Sequence, residues 1–112
     1  MTPYTIWIEA EVWAPGTWTP HDANSDVIVT FADGTRWVAT FFAYTNIATL
    51  TAKNQSTGEY LAGAYFWATD MILADAIQRS RIELIVQHLL EEQSFPHVFR
   101  RLHQEAGTEG QP

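Results

Sequence analysis

The amino-acid sequence predicts an α+β domain: a mainly antiparallel sheet of about four to five strands, with a short middle helix and two C-terminal helices packed on one face. Three observations carry this expectation. Apolar residues alternate with period two through much of the N-terminal half. An Asp33-Gly34 pair separates two β-rich runs. After Ser80 the apolar spacing becomes helical. Strands followed by helices point to helices covering one side of an antiparallel sheet.

In residues 4–13, Tyr4, Ile6, Ile8, Ala10 and Val12 share one face, and Thr5, Trp7, Glu9, Glu11 and Trp13 the other. Successive strand side chains point to opposite sides of the pleat, so this reads as one long half-buried strand. Ala14–Ser25 reads as a loop, with Pro15-Gly16 and Pro20 breaking regularity. Asp26–Ala32 and Thr35–Ala43 then form a hairpin about Asp33-Gly34, a pair suited to the positive φ angles of a type I′ turn. A two-residue loop sets Thr30 opposite Trp37 and Val29 opposite Val38. It gives Val27, Val29, Phe31, Val38 and Phe42 to the core and leaves Ile28, Trp37 and Phe41 on a second face.

From Tyr44 the period changes. Thr45 or Asn46 is placed to cap a short helix running to Gly58, its C-terminal stop. Ala64–Ala74 reads as one long strand or two shorter ones. Ser80-Arg81-Ile82-Glu83 has the form of a capping box. Ile82, Ile85, Val86, Leu89 and Leu90 then make one apolar helix stripe. Ser94 is placed to cap a second helix with Pro96 in its first turn and Phe95, Val98, Phe99 and Leu102 on its apolar side. Residues 1–104 are thus expected to form a single domain, with 105–112 a frayed tail.

Composition narrows the function classes. The chain has 112 residues, thirteen acidic against six basic side chains, a net charge of −7 and no cysteine. Disulfides, thiolate metal sites and cysteine nucleophiles are excluded, and a reducing, cytoplasmic setting fits. Lys53 is the single lysine, a poor basis for gripping nucleic-acid phosphates. No apolar run approaches the roughly 18 residues of a membrane span.

Few residues converge on chemistry. On one strand face Glu9 and Glu11 would lie about 7 Å apart by strand rise. With Trp7 and Trp13 beside them they form in outline an acid/base pair or sugar platform; the simpler reading is an outward polar stripe that keeps the sheet soluble. Asp70 interrupts an apolar run and therefore needs a partner or solvent; it reads as a perturbed functional carboxylate or as a structural Asp bonded to a backbone amide or to an Arg such as Arg36. The four histidines make no ligand set of the kind a metal needs, so neither metal nor cofactor is expected. Arg100-Arg101 reads as a charged helix end.

The aromatic surplus is the larger signal, with five Trp, four Tyr and six Phe. Trp7, Trp13, Trp37 and Phe41 are expected on the sheet face away from the C-terminal helices, where an apolar patch of several hundred Å² marks an interface. The competing account is that the middle helix or the 14–25 loop covers that face.

Residues 57–92 carry a resemblance. Thr57-Gly58-Glu59, then Gly63-x-Tyr65-Phe66-Trp67-Ala68-Thr69-Asp70-Met71-Ile72-Leu73, then the helix from Ser80, resembles a family of small uncharacterised bacterial single-domain α+β proteins without an assigned activity. The resemblance implies a cytoplasmic bacterial protein and carries over no catalytic residue. The expected function is a non-enzymatic module whose aromatic face docks a protein, most simply a second copy of itself. One alternative is a toxin-neutralising acidic protein, drawing on the net charge. The other is a small-ligand or carbohydrate-binding protein, or a carboxylate-based hydrolase, built on Glu9, Glu11 and Asp70 with Trp7, Trp13 and Trp67.

Overall fold

A computed structural model describes residues 3–13 and 18–103. Residues 14–17 of the expected loop and the expected tail 105–112 lie outside the described residues. The chain runs β1 (Tyr4–Ile8), a 3₁₀ turn (Glu9–Val12), β2 (Asn24–Phe31), β3 (Arg36–Ala43), α1 (Tyr44–Thr57), α2 (Glu59–Gly63), β4 (Met71–Ala74), α3 (Arg79–Glu91), α4 (Phe95–Val98) and β5 (Arg100–Leu102). The sheet is ordered β1-β2-β3-β4, with β5 also on β3. It is mainly antiparallel, as expected; β4 is parallel to β3. A parallel return needs a crossover of a dozen or more residues, and α1 with α2 supplies it.

The hairpin has three loop residues rather than two. Gly34 N–H donates to Phe31 O and Phe31 N–H to Thr35 O, both at 2.9 Å. Gly34 lies at φ +90°, the geometry of a type I turn closed by a left-handed residue. Asp33 orders it, its Oδ1 accepting from Thr35 N–H at 2.9 Å and Thr35 Oγ1–H at 2.8 Å. The one extra residue pairs Val29 with Trp37 and Ile28 with Val38. A one-residue slip exchanges the two faces of a strand. Trp37, Ala39 and Phe41 therefore face the C-terminal helices with Val27 and Val29, whereas Val38 and Phe42 point to the outer face. The expected faces of β3 are reversed.

Three other expectations are corrected. The first strand stops at Ile8, because the buried Ser25 hydroxyl takes the Ala10 N–H at 2.9 Å and the chain tightens into the 3₁₀ turn. Val12 is left exposed. Of Ala64–Ala74 only Met71–Ala74 is strand. Helix α3 begins at Arg79 with no side-chain cap, so the Ser80 capping box does not form. Its start is held by tertiary ties instead, Ile77 N–H donating to Pro20 O at 2.9 Å.

The second C-terminal helix is a single turn. Phe99 turns extended, and Arg100-Arg101, expected at a helix end, pair with Val38 and Trp37. They do so because β4 covers only Thr40–Ala43, leaving the other half of that β3 edge open.

The core lies between sheet and helices. Val27, Val29, Phe41, Ile82 and Val86 have no exposed surface. The rings of Phe95 and Phe99 stack at 4.4 Å, Phe95 meets Trp37 at 5.5 Å and Phe99 meets Phe41 at 6.2 Å.

Candidate functional site

The expected site residues are dispersed. Trp7 stands on the outer face of β1, 45% exposed and opposite Ile28. Trp13 follows the 3₁₀ turn and meets Trp18 edge to face at 6.2 Å. Trp37 is half-buried against Phe95 and Phe41 is fully buried. The four do not form one aromatic sheet face, because the hairpin register turns the last two to the side of the sheet that packs on the C-terminal helices.

The carboxylates are equally separate. Glu9 Oε1 accepts from Asp26 N–H at 3.4 Å. Glu11 receives Arg79 Nε and Nη2 at 2.9 and 2.8 Å. That bidentate bond holds the Glu11 carboxyl below the usual carboxylate range and raises the Arg79 guanidinium in turn. Asp70 sits at φ 56°, its carbonyl accepting from Thr40 N–H at 2.9 Å and its Oδ2 from Arg100 Nε at 2.8 Å. It staples the ends of β4 and β5 where both abut β3; its guanidinium partner is Arg100. Each acid has its own structural partner, and Trp67 is 60% exposed in the crossover, more than fifty residues from Glu9 and Glu11 in the chain. Among the described residues no group of three or more His, Cys, Asp or Glu side chains is placed to hold a metal ion.

A groove lies elsewhere. At the hairpin end of the sheet, Tyr4, Phe31 and Trp37 meet Leu90 and Phe95 around an open recess of about 590 Å³. That volume is in the range of ligand sites. Its rim is polar and acidic, with Asp33 and Glu91. Asp33 is held ionised below its usual range first by the Thr35 backbone N–H and hydroxyl, with Arg101 adding a smaller favourable field.

A second recess of about 440 Å³ lies between Tyr4, Thr5 and Ile6 of β1 and Arg79, Glu83 and Gln87 of α3. The two share Tyr4 and Gln87, so they adjoin one another between β1 and α3 and together are called the groove. Residues 79, 83, 87 and 91 line it because side chains four apart lie on one helix face. Two pairs order that wall: Arg79 Nη1 with Glu83 at 3.3 Å, and Gln87 Nε2 with Glu91 at 3.1 Å.

Sequence reasoning passed over Arg79, Tyr4 and Gln87. The spacing of 79, 83 and 87 was readable as the polar flank of the α3 stripe; that it faces a strand edge was not. Comparison with protein-family models, curated proteins and solved structures finds no match to this chain. Among the described residues no helix is long and apolar enough to cross a membrane.

Proposed function

We propose that this chain is a non-enzymatic protein-binding module that seats an apolar side chain of its partner in the groove between β1, the β2–β3 hairpin and the α3–α4 corner. One observation carries the reading: an open recess of about 590 Å³ floored by Tyr4, Phe31, Trp37 and Phe95 and rimmed by carboxylates. Half-buried aromatics in a concave, polar-rimmed site are the surfaces at which protein partners gain most of their binding energy. The dispersal of Glu9, Glu11 and Asp70 onto separate partners supports binding over carboxylate-based hydrolysis. The net charge of −7 favours a basic partner. A cytoplasmic setting is part of the same proposal, and a chain without cysteine is compatible with it.

The test fills the groove. Gln87 is exposed on α3, so Gln87→Trp occupies the recess without entering the core. Peptides selected from a displayed random library on the intact protein are expected to lose at least tenfold in affinity for Gln87→Trp, while its thermal unfolding stays near wild type. Selected peptides that bind both forms equally would overturn this location.

A specific observation favours self-association as a second reading. Leu61, Tyr65 and Trp67 are each exposed within the crossover, and large apolar side chains left exposed mark interfaces where they gather. Light scattering across a concentration series is expected to show a dimer that Trp67→Ser dissolves; a monomer at every concentration would remove this reading.

A further inference from the structure

The groove is bordered by more than side chains. Among the described residues β1 is the outermost strand on its side of the sheet. Pro3 O accepts from Ala32 N–H at 3.2 Å, so the carbonyl of residue 3 points inward to the hairpin. Direction alternates along an antiparallel strand, which turns the peptide groups of Tyr4 and Ile6 outward into the groove. Arg79 confirms this independently, its Nη2 donating to Ile6 O at 2.9 Å. The outward N–H groups of Tyr4 and Ile6, and the Tyr4 carbonyl, thus face the groove beside α3.

Resting on the protein-binding reading of this same groove, we propose that the ligand is an extended, basic peptide segment of a partner protein, which adds to the sheet as a strand alongside β1. Three features specify it. The outward edge of β1, unpaired by any other strand among the described residues, supplies main-chain donors and an acceptor for an extended backbone, the recognition mode of strand addition. Side chains of an added strand alternate, so every second one drops toward the apolar recess of Tyr4, Phe31 and Phe95. The charged groups lining the groove are Asp33, Glu83 and Glu91 against Arg79, which pairs with both Glu11 and Glu83, while Arg101 adds a smaller field at Asp33. This excess of carboxylate complements Lys or Arg at the other positions of the strand.

Arg79 sets the register. It occupies the Ile6 carbonyl, so main-chain pairing is strongest at Tyr4, next to the apolar recess. Blocking part of a strand edge with a charged side chain is also how sheets avoid pairing with any strand they meet.

The experiment uses the 112-residue chain and three kinds of synthetic probe. The first is acetyl-Lys-Val-Lys-Phe-Lys-Val-Lys-amide. The second has alternate backbone nitrogens methylated, in both alternation patterns. The third carries Glu in place of Lys. Binding is followed by amide resonances and hydrogen exchange. The Lys peptide is expected to slow exchange of the Tyr4 and Ile6 amides at least tenfold. One methylation pattern should abolish binding and the other preserve it, and the Glu peptide should bind at least tenfold more weakly.

Binding in the groove with unchanged Tyr4 and Ile6 exchange, or with both methylated peptides equal to the parent, overturns strand addition and leaves the binding module standing. No perturbation of groove resonances by either the Lys or the Glu peptide overturns both. Concentration-dependent protection of the same amides without peptide overturns the basic-peptide ligand in favour of a second copy pairing through β1.

Discussion

The body of the protein and its crossover are held by different physics. In the body, β1–β3 and the C-terminal helices enclose apolar side chains, and the fully buried residues of α3 are Ile82 and Val86. In the crossover, the buried residues of α1 are Asn46 and Asn54. Asn46 donates to Asp22 Oδ1 at 3.0 Å and accepts from Asn24 Nδ2 at 2.9 Å, tying the helix root to the strand through amides. Its far end is closed by Gly58 at φ 88° and then by Tyr60, Leu61 and Ala62, three consecutive left-handed residues. The body gains from area removed from water. The crossover spends backbone conformation to turn the chain, and places Phe66 between Tyr60 at 5.2 Å and Phe42 at 5.3 Å. A parallel return is thereby anchored at its root and at Phe66, while Leu61 stands 77% exposed.

The contrast can be broken first at the body. Phe41→Ala should cost about 3–5 kcal/mol, the usual loss for a buried Phe, read as a lower urea midpoint for the whole domain. A loss under 1 kcal/mol would mean that the Phe41–Phe99 packing is not the centre of the core.

Gly63→Ala tests the crossover. At φ 82° an added Cβ would stand 2.8 Å from both Thr51 O and Gln55 Cγ, so α2 must move off α1. The expected cost is about 2 kcal/mol, from strain at a left-handed position plus the displaced contact. Hydrogen exchange should quicken in α1 and α2 and leave β2 and α3 unchanged. Equal acceleration everywhere would make the two regions one cooperative unit.

Leu61→Gly has the opposite sign. A left-handed L-residue costs roughly 1–2 kcal/mol, and Leu61 has little burial to lose. Relief of that cost, offset by the flexibility of Gly in the unfolded chain, should stabilise the protein by about 0.5–1 kcal/mol in urea unfolding. Destabilisation would show that the Leu61 side chain makes contacts worth more than the strain.

The smallest effect belongs to Glu11. Its folded-state pKa is depressed by Arg79, so its contribution is present above the ordinary carboxylate range and is lost as pH falls through the folded value. For a half-exposed pair this is worth up to about 1 kcal/mol. Glu11→Gln should therefore lower the melting temperature at pH 7 and match wild type in strong acid. A gap that persists in acid would assign the loss to geometry rather than charge.

Local rules made several elements legible. The α3 stripe, the Gly58 stop, the existence of the hairpin and the α+β class follow from spacing and turn chemistry, which need only neighbours in the chain. The site was much less legible. Both faces of β3 carry large apolar residues, Val38 and Phe42 on one and Trp37 and Phe41 on the other, so alternation alone left its inward face open. One added loop residue decided it, sending Phe41 into the core and Trp37 to the groove floor.

By itself, then, the sequence determined that the chain alternates on both sides of the Asp33-Gly34 turn, that α3 coils and that Gly58 stops α1, because these depend on contacts a few residues apart. Tertiary structure alone decided the rest. Ser25 shortened β1, an uncovered stretch of β3 drew Arg100–Leu102 out of a helix, and Arg79 reached Glu11 and Ile6 across the fold. Each is a choice between partners far apart in sequence, made by whichever unsatisfied hydrogen-bonding group or apolar surface the folded chain brings near.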